Sequence, residues 1–387
     1  MSPFARRANP NSHASRSIRD FSMQVPQLTA THFQPETRVN PLSSVPLKSA
    51  AETASDISFV MLSIDWQLAY DNPTSKHRIA ETLAQAGYPI LWIEAAGMRS
   101  PSMKGKRGKR DLEKIVFKVK KAMKGLREVE PNLWATGPLM IPLPGNETAH
   151  SWNCRHLVRT IKKCINQLNL KNPVVINYLP ILDRVMEALP YPQIYHCVDR
   201  WDAFPLYDAE VMHRYDQNCC ENADLVLASS DDLVTRCRAY NQQTIRFAHG
   251  VDYEHFAKAL NKPPPPEDLP EGPIIGYFGR IESYVDLDML AQLARVYPDA
   301  KLVLIGNIDV ESLPFTDLPN VHCLGPRPFE RLPDYVAHFT VGLIPFAVTE
   351  LTIAVNPIKL REMLAADCPV VSTELPEASL YDTVKIA

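Results

Sequence analysis

Apolar positions along the chain fall into two alternating rhythms. Continuous apolar runs bounded by turn formers read as strands buried on both faces: ISFVMLSI (57–64), then YPILWIEA, VVINYL (174–179), QIYHCV (193–198) and DLVLAS (224–229). Between them lie segments with the period of an amphipathic helix, at 75–87 with Gly87 as its stop, and at about 149–169, 207–222 and 230–240. The proline-rich run KPPPPEDLPEG (262–272) reads as a stiff extended linker. The alternation then resumes with GPIIGYFGR (272–280), the helical LDMLAQLARVYP, the strands KLVLIG and VHCLG, a helix at about 329–339, and TVGLIPF. It ends in a loop–helix–strand unit, NPIKLREMLAADCPVVST (356–373). Strand–helix alternation predicts doubly wound parallel sheets that hold a ligand beyond the carboxyl ends of their strands.

The boundaries follow from this pattern. Residues 1–54, rich in Ser, Pro, Arg and Asn, read as a disordered extension, although four arginines and a single acid in the first 25 residues superficially suit a transit peptide. Residues 55–260 form a first domain, 261–272 the linker, and 273–387 a second domain that looks truncated, since the chain stops at YDTVKIA soon after a strand. A length of 387 residues leaves room for two cores.

The unit beginning at Asn356 carries the most chemistry. Pro357 suits a helix start, and Lys359 falls in the first turn, where it opposes the helix dipole. A lysine there makes sense beneath a phosphate that the free amides around Asn356–Ile358 also approach; a solvated lysine on an ordinary helix is the alternative. Glu362 lies one turn on, where it can accept hydroxyl hydrogen bonds of the same ligand. Gly279 and Arg280 end a strand at a point where backbone can approach a ligand closely, and Gly306 and the Asn356 loop fall at equivalent ends.

The order GYFGR, LVLIG, NVHCLGPRPFERLPDY, LIPF and NPIKLREMLAADCPVVST, over about 272–373, resembles the nucleotide-sugar-binding domain of GT-B glycosyltransferases. Within these it is similar to the group related to glycosyltransferase family 4, or group 1, of the bacterial polysaccharide-biosynthesis type. HGVDYEHF likewise resembles that family's exit from its first domain. The resemblance implies an α/β GT-B fold: two Rossmann-like, doubly wound parallel-sheet domains facing across a cleft, acceptor on the first and donor on the second. It implies transfer of a sugar from a nucleoside-diphosphate sugar, UDP- or GDP-linked, to a glycan or lipid-linked acceptor in surface (exopolysaccharide) assembly.

Neither metal nor cofactor is then needed, because cations and helix N-termini stabilise the departing diphosphate. Arg280 and Lys359 take that role, Glu362 matches the second acid of the family's Glu-x7-Glu motif at the ribose, and the first acid is replaced by Ala354, with Glu350 out of register. That departure weakens a retaining course. The family's usual lysine some five residues beyond Arg280 is also missing, with Tyr284-Val285-Asp286 in its place. In YHCVDRWDAF (195–204), Asp199 looks like the base position of an inverting GT-B glucuronosyltransferase, with His196 and Asp202 close by; helix capping or pairing with Arg200 is the alternative. His249 is a second candidate lining the cleft near the donor sugar, and Lys76, His77 and Arg78 open a helix that can meet an acceptor phosphate. Asp286-Leu287-Asp288 spells a manganese-binding DxD, but as the opening of an amphipathic helix it reads as structural.

Charge adds one feature. The formal balance of −3 disfavours nucleic acid as a partner, yet 99–127 holds twelve basic residues against two acids. Over 104–127 an apolar stripe (Leu112, Ile115, Val116, Val119, Met123, Leu126) makes a basic amphipathic helix suited to an anionic membrane surface, or packed on the core with its lysines solvated. The eight scattered cysteines read as reduced thiols, and no stretch reaches spanning length, so the expectation is a cytoplasmic protein, peripheral at the inner membrane at most. Dinucleotide oxidoreduction lacks its GxGxxG. A GT-B-like epimerase or hydrolase and a non-catalytic nucleotide-sugar binder remain as alternatives.

Overall fold

The computed structural model describes residues 56–68, 73–95, 122 and 124–387. The extension 1–54 and nearly all of the basic helix expected over 104–127 lie outside the described residues. Only the end of that helix can be compared: Lys124–Leu126 form a turn, and Arg127 opens a strand.

The apolar runs assemble into two sheets. The first contains β1 (Ser58–Ser63), β2 (Ile90–Glu94), β3 (Arg127–Glu130), β4 (Leu133–Thr136), β5 (Pro173–Asn177), β6 (Gln193–Cys197), β7 (Leu225–Ala228) and β8 (Thr244–Arg246), in the order β3-β4-β2-β1-β5-β6-β7-β8. Every neighbouring pair is parallel except β3 and β4 at the edge. The helices α1 (Ser75–Gln85), α2 (Glu147–Leu168), α3 (Asp183–Ala188), α4 (Ala209–Asn222) and α5 (Asp231–Arg238) connect them. The second sheet, wholly parallel, contains β9 (Ile274–Phe278), β10 (Lys301–Ile305), β11 (Val321–Gly325), β12 (Val341–Ile344), β13 (Val370–Ser372) and β14 (Val384–Ile386), in the order β11-β10-β9-β12-β13-β14. Its helices are α6 (Tyr253–Phe256), α7 (Leu287–Val296), α8 (Leu332–Val336), α9 (Glu350–Ile353) and α10 (Ile358–Ala365). Because β9 neighbours both β10 and β12, the strand order reverses there, and its carboxyl end is the switch point at which such sheets leave a crevice.

Local chemistry explains the helix starts. Asp286 caps α7 by accepting from the Met289 amide at 2.9 Å, so the apparent DxD is spent on a helix end. Leu290, Ala291 and Ala294 then bury one face of that helix. Ser230 caps α5, whose first turn carries Asp231 and Asp232 and whose last carries Arg236 and Arg238, both in the sense the dipole favours.

One expected boundary moves. Residues 251–260, read from the sequence as the close of the first domain, pack on the second core: fully buried Phe256 packs on Phe278 and Phe329, at ring-centroid separations of 6.1 and 5.6 Å. The proline-rich segment also lies on that domain, with His338 Nε2 2.8 Å from the Pro263 carbonyl and Asp268 bonded to Arg327 and Tyr335.

The two sheets are joined through polar groups. Glu377, 2% exposed, accepts from Arg246 Nη2 at 2.7 Å, from the Asp231 amide at 3.2 Å and from Asn356 Nδ2. Asn356 in turn accepts from Arg361. The buried Ser230 hydroxyl donates to the Ala354 carbonyl at 2.7 Å, and Arg78 reaches Asp252 at 3.5 Å. Truncating Glu377 strands the buried Asn356 amide and removes one of the two carboxylates on Arg246, leaving Asp231 at 2.9 Å. Glu377→Ala is therefore expected to lower stability by about 1–3 kcal/mol in urea unfolding, with Ser230→Ala nearer 1 kcal/mol.

Candidate functional site

The carboxyl ends of β9, β10 and β12 and the start of α10 form one wall of the site. Lys359, in the first turn of α10, donates to Tyr277 Oη at 3.1 Å, with its ammonium 4.8 and 5.0 Å from the Tyr277 and Phe346 ring centroids. Tyr277 passes the bond on to the Arg280 carbonyl at 2.8 Å. Two glycines allow the approach. Gly279 has φ +127°, and a Cβ there would lie 2.5 Å from Lys359 Nζ. Gly306 has φ +146°, and its Cβ would fall 2.0 Å from the Gly279 carbonyl oxygen. No side chain caps α10, so its first amides stay open beside the lysine.

Burial sets the charges here. It pulls the Lys359 ammonium down to about 8 against the pull of Glu362 and Glu282, and pushes the Glu362 carboxyl up to about 7 against Lys359 and Arg78. Each group is the other's leading counter-charge.

The expected donor residues divide on inspection. Gly279, Lys359 and Glu362 come together with the Ile358 amide. Pro357 is the N-cap residue and has no N–H to give. Asn356 is 3% exposed, and its side chain is spent on Glu377 and Arg361, so it positions the loop rather than facing a ligand. Arg280 is exposed and held by Glu282 at 2.7 Å and Asp309 at 3.4 Å, which leaves Lys359 as the recessed cation. Tyr284, where the resemblance leads one to expect a lysine, donates to the Arg280 carbonyl at 3.1 Å. Ala354 is fully buried against the first domain, and Glu350 points away to Arg200 at 3.2 Å.

The opposite wall is built at the ends of β5 and β6. Asp199 follows β6; it neither caps the short turn at Trp201–Ala203, whose N-cap is Arg200, nor forms an ion pair among the described residues. Burial raises its carboxyl to about 6, opposed by Lys76. Its charge adds, as the smallest of several causes, to the raised pKa of Tyr284 in the second domain. His249 lies 6.4 Å from His196 between ring centroids. Burial holds both imidazoles down at about 3, and Arg361 and Lys76 add to this at His249, so both rings are neutral at pH 7. The Phe247 backbone approaches His196 without satisfying either ring nitrogen. His77 is consumed locally: it accepts from the Thr74 amide at 3.1 Å and stacks on Trp92 at 5.2 Å, with burial holding it at about 4. Among the described residues no group of three or more His, Cys, Asp or Glu is arranged to hold a metal, and no helix is long and apolar enough to cross a membrane.

Sequence reasoning missed Glu377, Arg246, Tyr178 and Trp201. The last two were detectable, because Tyr178 falls in the last residues of the predicted strand 174–179 and Trp201 shortly after the predicted strand 193–198.

Residues 272–384 match the family described as Glycosyl transferases group 1. TuaH of Bacillus subtilis (strain 168), named as a teichuronic acid biosynthesis glycosyltransferase, is 30% identical over 206 residues, covering 48% of this chain. The chain spans 51% of that relative's length. Among solved structures, a UDP-forming trehalose-phosphate synthase from Burkholderia xenovorans superposes with a TM-score of 0.54 at 13% identity, over 83% of this chain and 85% of that one. An E. coli trehalose-6-phosphate structure bound with UDP-2-fluoro glucose gives 0.53 at 11%, over 84% and 86%. These neighbours and the paired parallel sheets establish the GT-B fold.

An anion seated on α10 raises the Lys359 pKa from about 8 and draws in a proton wherever the free amine is partly neutral. A nucleoside diphosphate is therefore expected to bind with proton uptake at pH 8–9, and progressively more weakly as pH climbs further. Calorimetry in two buffers of different ionisation enthalpy reads this directly; Lys359→Met should abolish the uptake.

Proposed function

We propose that this chain, whose residues 272–384 form a group 1 glycosyl transferase domain within a GT-B fold, moves a sugar from a nucleoside-diphosphate sugar to a glycan or lipid-linked acceptor in surface-polysaccharide assembly. The observation that carries the reading is the recessed Lys359–Glu362 pair beside the open end of α10, under a backbone kept clear by Gly279. The lysine and amides receive the diphosphate, and Glu362 accepts from the ribose hydroxyls.

Asp199 is the group suited to the proton transfer. Its carboxylate takes the proton of the acceptor hydroxyl as that oxygen attacks the anomeric carbon. The bond from that carbon to the β-phosphate oxygen breaks on the opposite side, and the diphosphate leaves with its charge held by Lys359. With Ala354 where the paired motif has its first acid, this single displacement inverts the anomeric centre. The UDP-sugar in the E. coli neighbour and the teichuronic acid named for the B. subtilis relative support the substrate class without naming this chain's sugar.

Thermal unfolding with UDP, GDP or NAD tests the donor site. One nucleoside diphosphate at about a hundred times its Kd should add about 2.7 kcal/mol, NAD nothing, and Lys359→Ala should lose the effect. Asp199→Asn should keep that shift while kcat falls roughly 100- to 10,000-fold. An unchanged kcat removes Asp199 from the mechanism.

A lipid-borne acceptor brings the protein to a membrane surface. Supporting this, the basic 104–127 run leads into β3, and the loop after β4 leaves Leu139, Ile141 and Leu143 exposed at 41%, 36% and 45%. Replacing Lys114, Lys118, Lys120 and Lys121 by Glu should abolish cosedimentation with anionic vesicles, and undiminished binding would sink the membrane reading.

A further inference from the structure

We propose that Lys76, Tyr178 and Trp201 form a subsite for an acidic group, a carboxylate or a phosphate ester, on the acceptor. Lys76 stands in the first turn of α1 and is 8% exposed. Its ammonium lies 5.9 Å from the Tyr178 ring centroid and 5.8 Å from that of Trp201. Among the described residues it makes no hydrogen bond and no ion pair. Ring faces attract a cation but offer no lone pair for its three N–H groups, so the cation is housed without being satisfied. The Tyr178 hydroxyl and the Trp201 indole N–H are buried without a partner as well. An ammonium and an indole N–H can only donate, and the phenol can, so the set suits an acceptor-rich anion rather than a neutral sugar hydroxyl.

The neighbouring groups do not fill that role. The amides of His77 and Arg78 are already bonded to the Thr74 carbonyl, at 3.0 and 3.2 Å. The His77 ring is held by Thr74 and Trp92, and Arg78 by Glu81 and Asp252. Asp199 is the opposite charge that Lys76 senses, but the two do not pair. Lys76 and Asp199 therefore remain separately available, one to anchor the acidic group and the other to deprotonate a nearby hydroxyl. Only the word acceptor rests on the glycosyl-transfer reading; the anion subsite stands on these contacts alone.

Glucuronate, inorganic phosphate and glucose serve as probes, titrated by NMR or thermal shift against the wild-type chain, Lys76→Met, Lys76→Arg and Lys359→Met. At least one acidic probe should bind wild type and Lys359→Met alike, bind Lys76→Met roughly tenfold or more weakly, and keep most of its affinity in Lys76→Arg. The stronger of the two acidic probes names the source as a uronic acid or a phosphate. Should Lys76→Met fail to fold, Tyr178→Phe, which removes one hydroxyl, should still weaken the acidic probe severalfold. Equal binding of both acids to Lys76→Met and wild type, glucose binding as tightly as either acid, or no acid bound by folded wild type would each overturn the subsite. The nucleoside-diphosphate shift is read in parallel: its loss in Lys359→Met and survival in Lys76→Met keeps the donor reading separate from this one.

Discussion

The buried carboxylate of Glu377 joins what the two sheets would otherwise hold apart. Its oxygens receive an arginine and a backbone amide from the first domain and the Asn356 amide from the second. Asn356 immediately precedes α10, so the loop that presents Lys359 and the open amides is bonded, through one side chain, to the opposite half of the molecule. A carboxylate this deeply buried is tolerable because each oxygen has a donor, and the same condition makes the arrangement geometrically strict. The position of the α10 terminus is thereby linked to the relation between the domains.

Within that frame the two walls repeat one electrostatic device. Lys359 with Glu362, and Lys76 with Asp199, each set a desolvated lysine near a desolvated carboxyl, with the amine lowered and the acid raised. Desolvation dominates all four shifts, and the partner opposes it. Lys359, Glu362 and Asp199, at about 8, 7 and 6, therefore change charge near neutrality and respond strongly to an incoming ion. The neutral His196 and His249 of the first-domain wall add polarity without net charge.

The strand–helix pattern was readable because parallel strands buried on both faces are continuous apolar runs, and β1, β2, β5, β6, β7, β9, β10 and β12 all have that form. The antiparallel β3 was not, since REVE has little apolar content and is stabilised by pairing with β4 rather than by its own pattern. Lys359 and Glu362 could be singled out because a cation in a first helical turn is locally unfavourable. The tertiary role of the Asn356 side chain could not be read: it answers to Glu377, 21 residues on, and to Arg361, and no local rule reports a tertiary bond. The allegiance of Phe256 to the second core was hidden for the same reason, since sequence proximity placed it with the first domain.

Ala354 explains where the acid chemistry went. In the motif that this stretch resembles, a glutamate precedes Glu362 by eight residues; here a methyl group sits fully buried among Tyr195, Cys197 and Val234 of the first domain, and its carbonyl receives Ser230. A carboxylate at that position would be buried in an apolar cluster or would force the domains apart. The chain uses the position for interdomain packing. Two acids there are strongly desolvated: Glu362, balanced by Lys359, and Asp199, which is raised toward neutrality and has no bonded side-chain partner among the described residues. Among the described residues Asp199 combines the lack of a bonded side-chain partner with a carboxyl raised to about 6, and the proposed proton-transfer role therefore falls to the first domain rather than to the paired-acid position of the second.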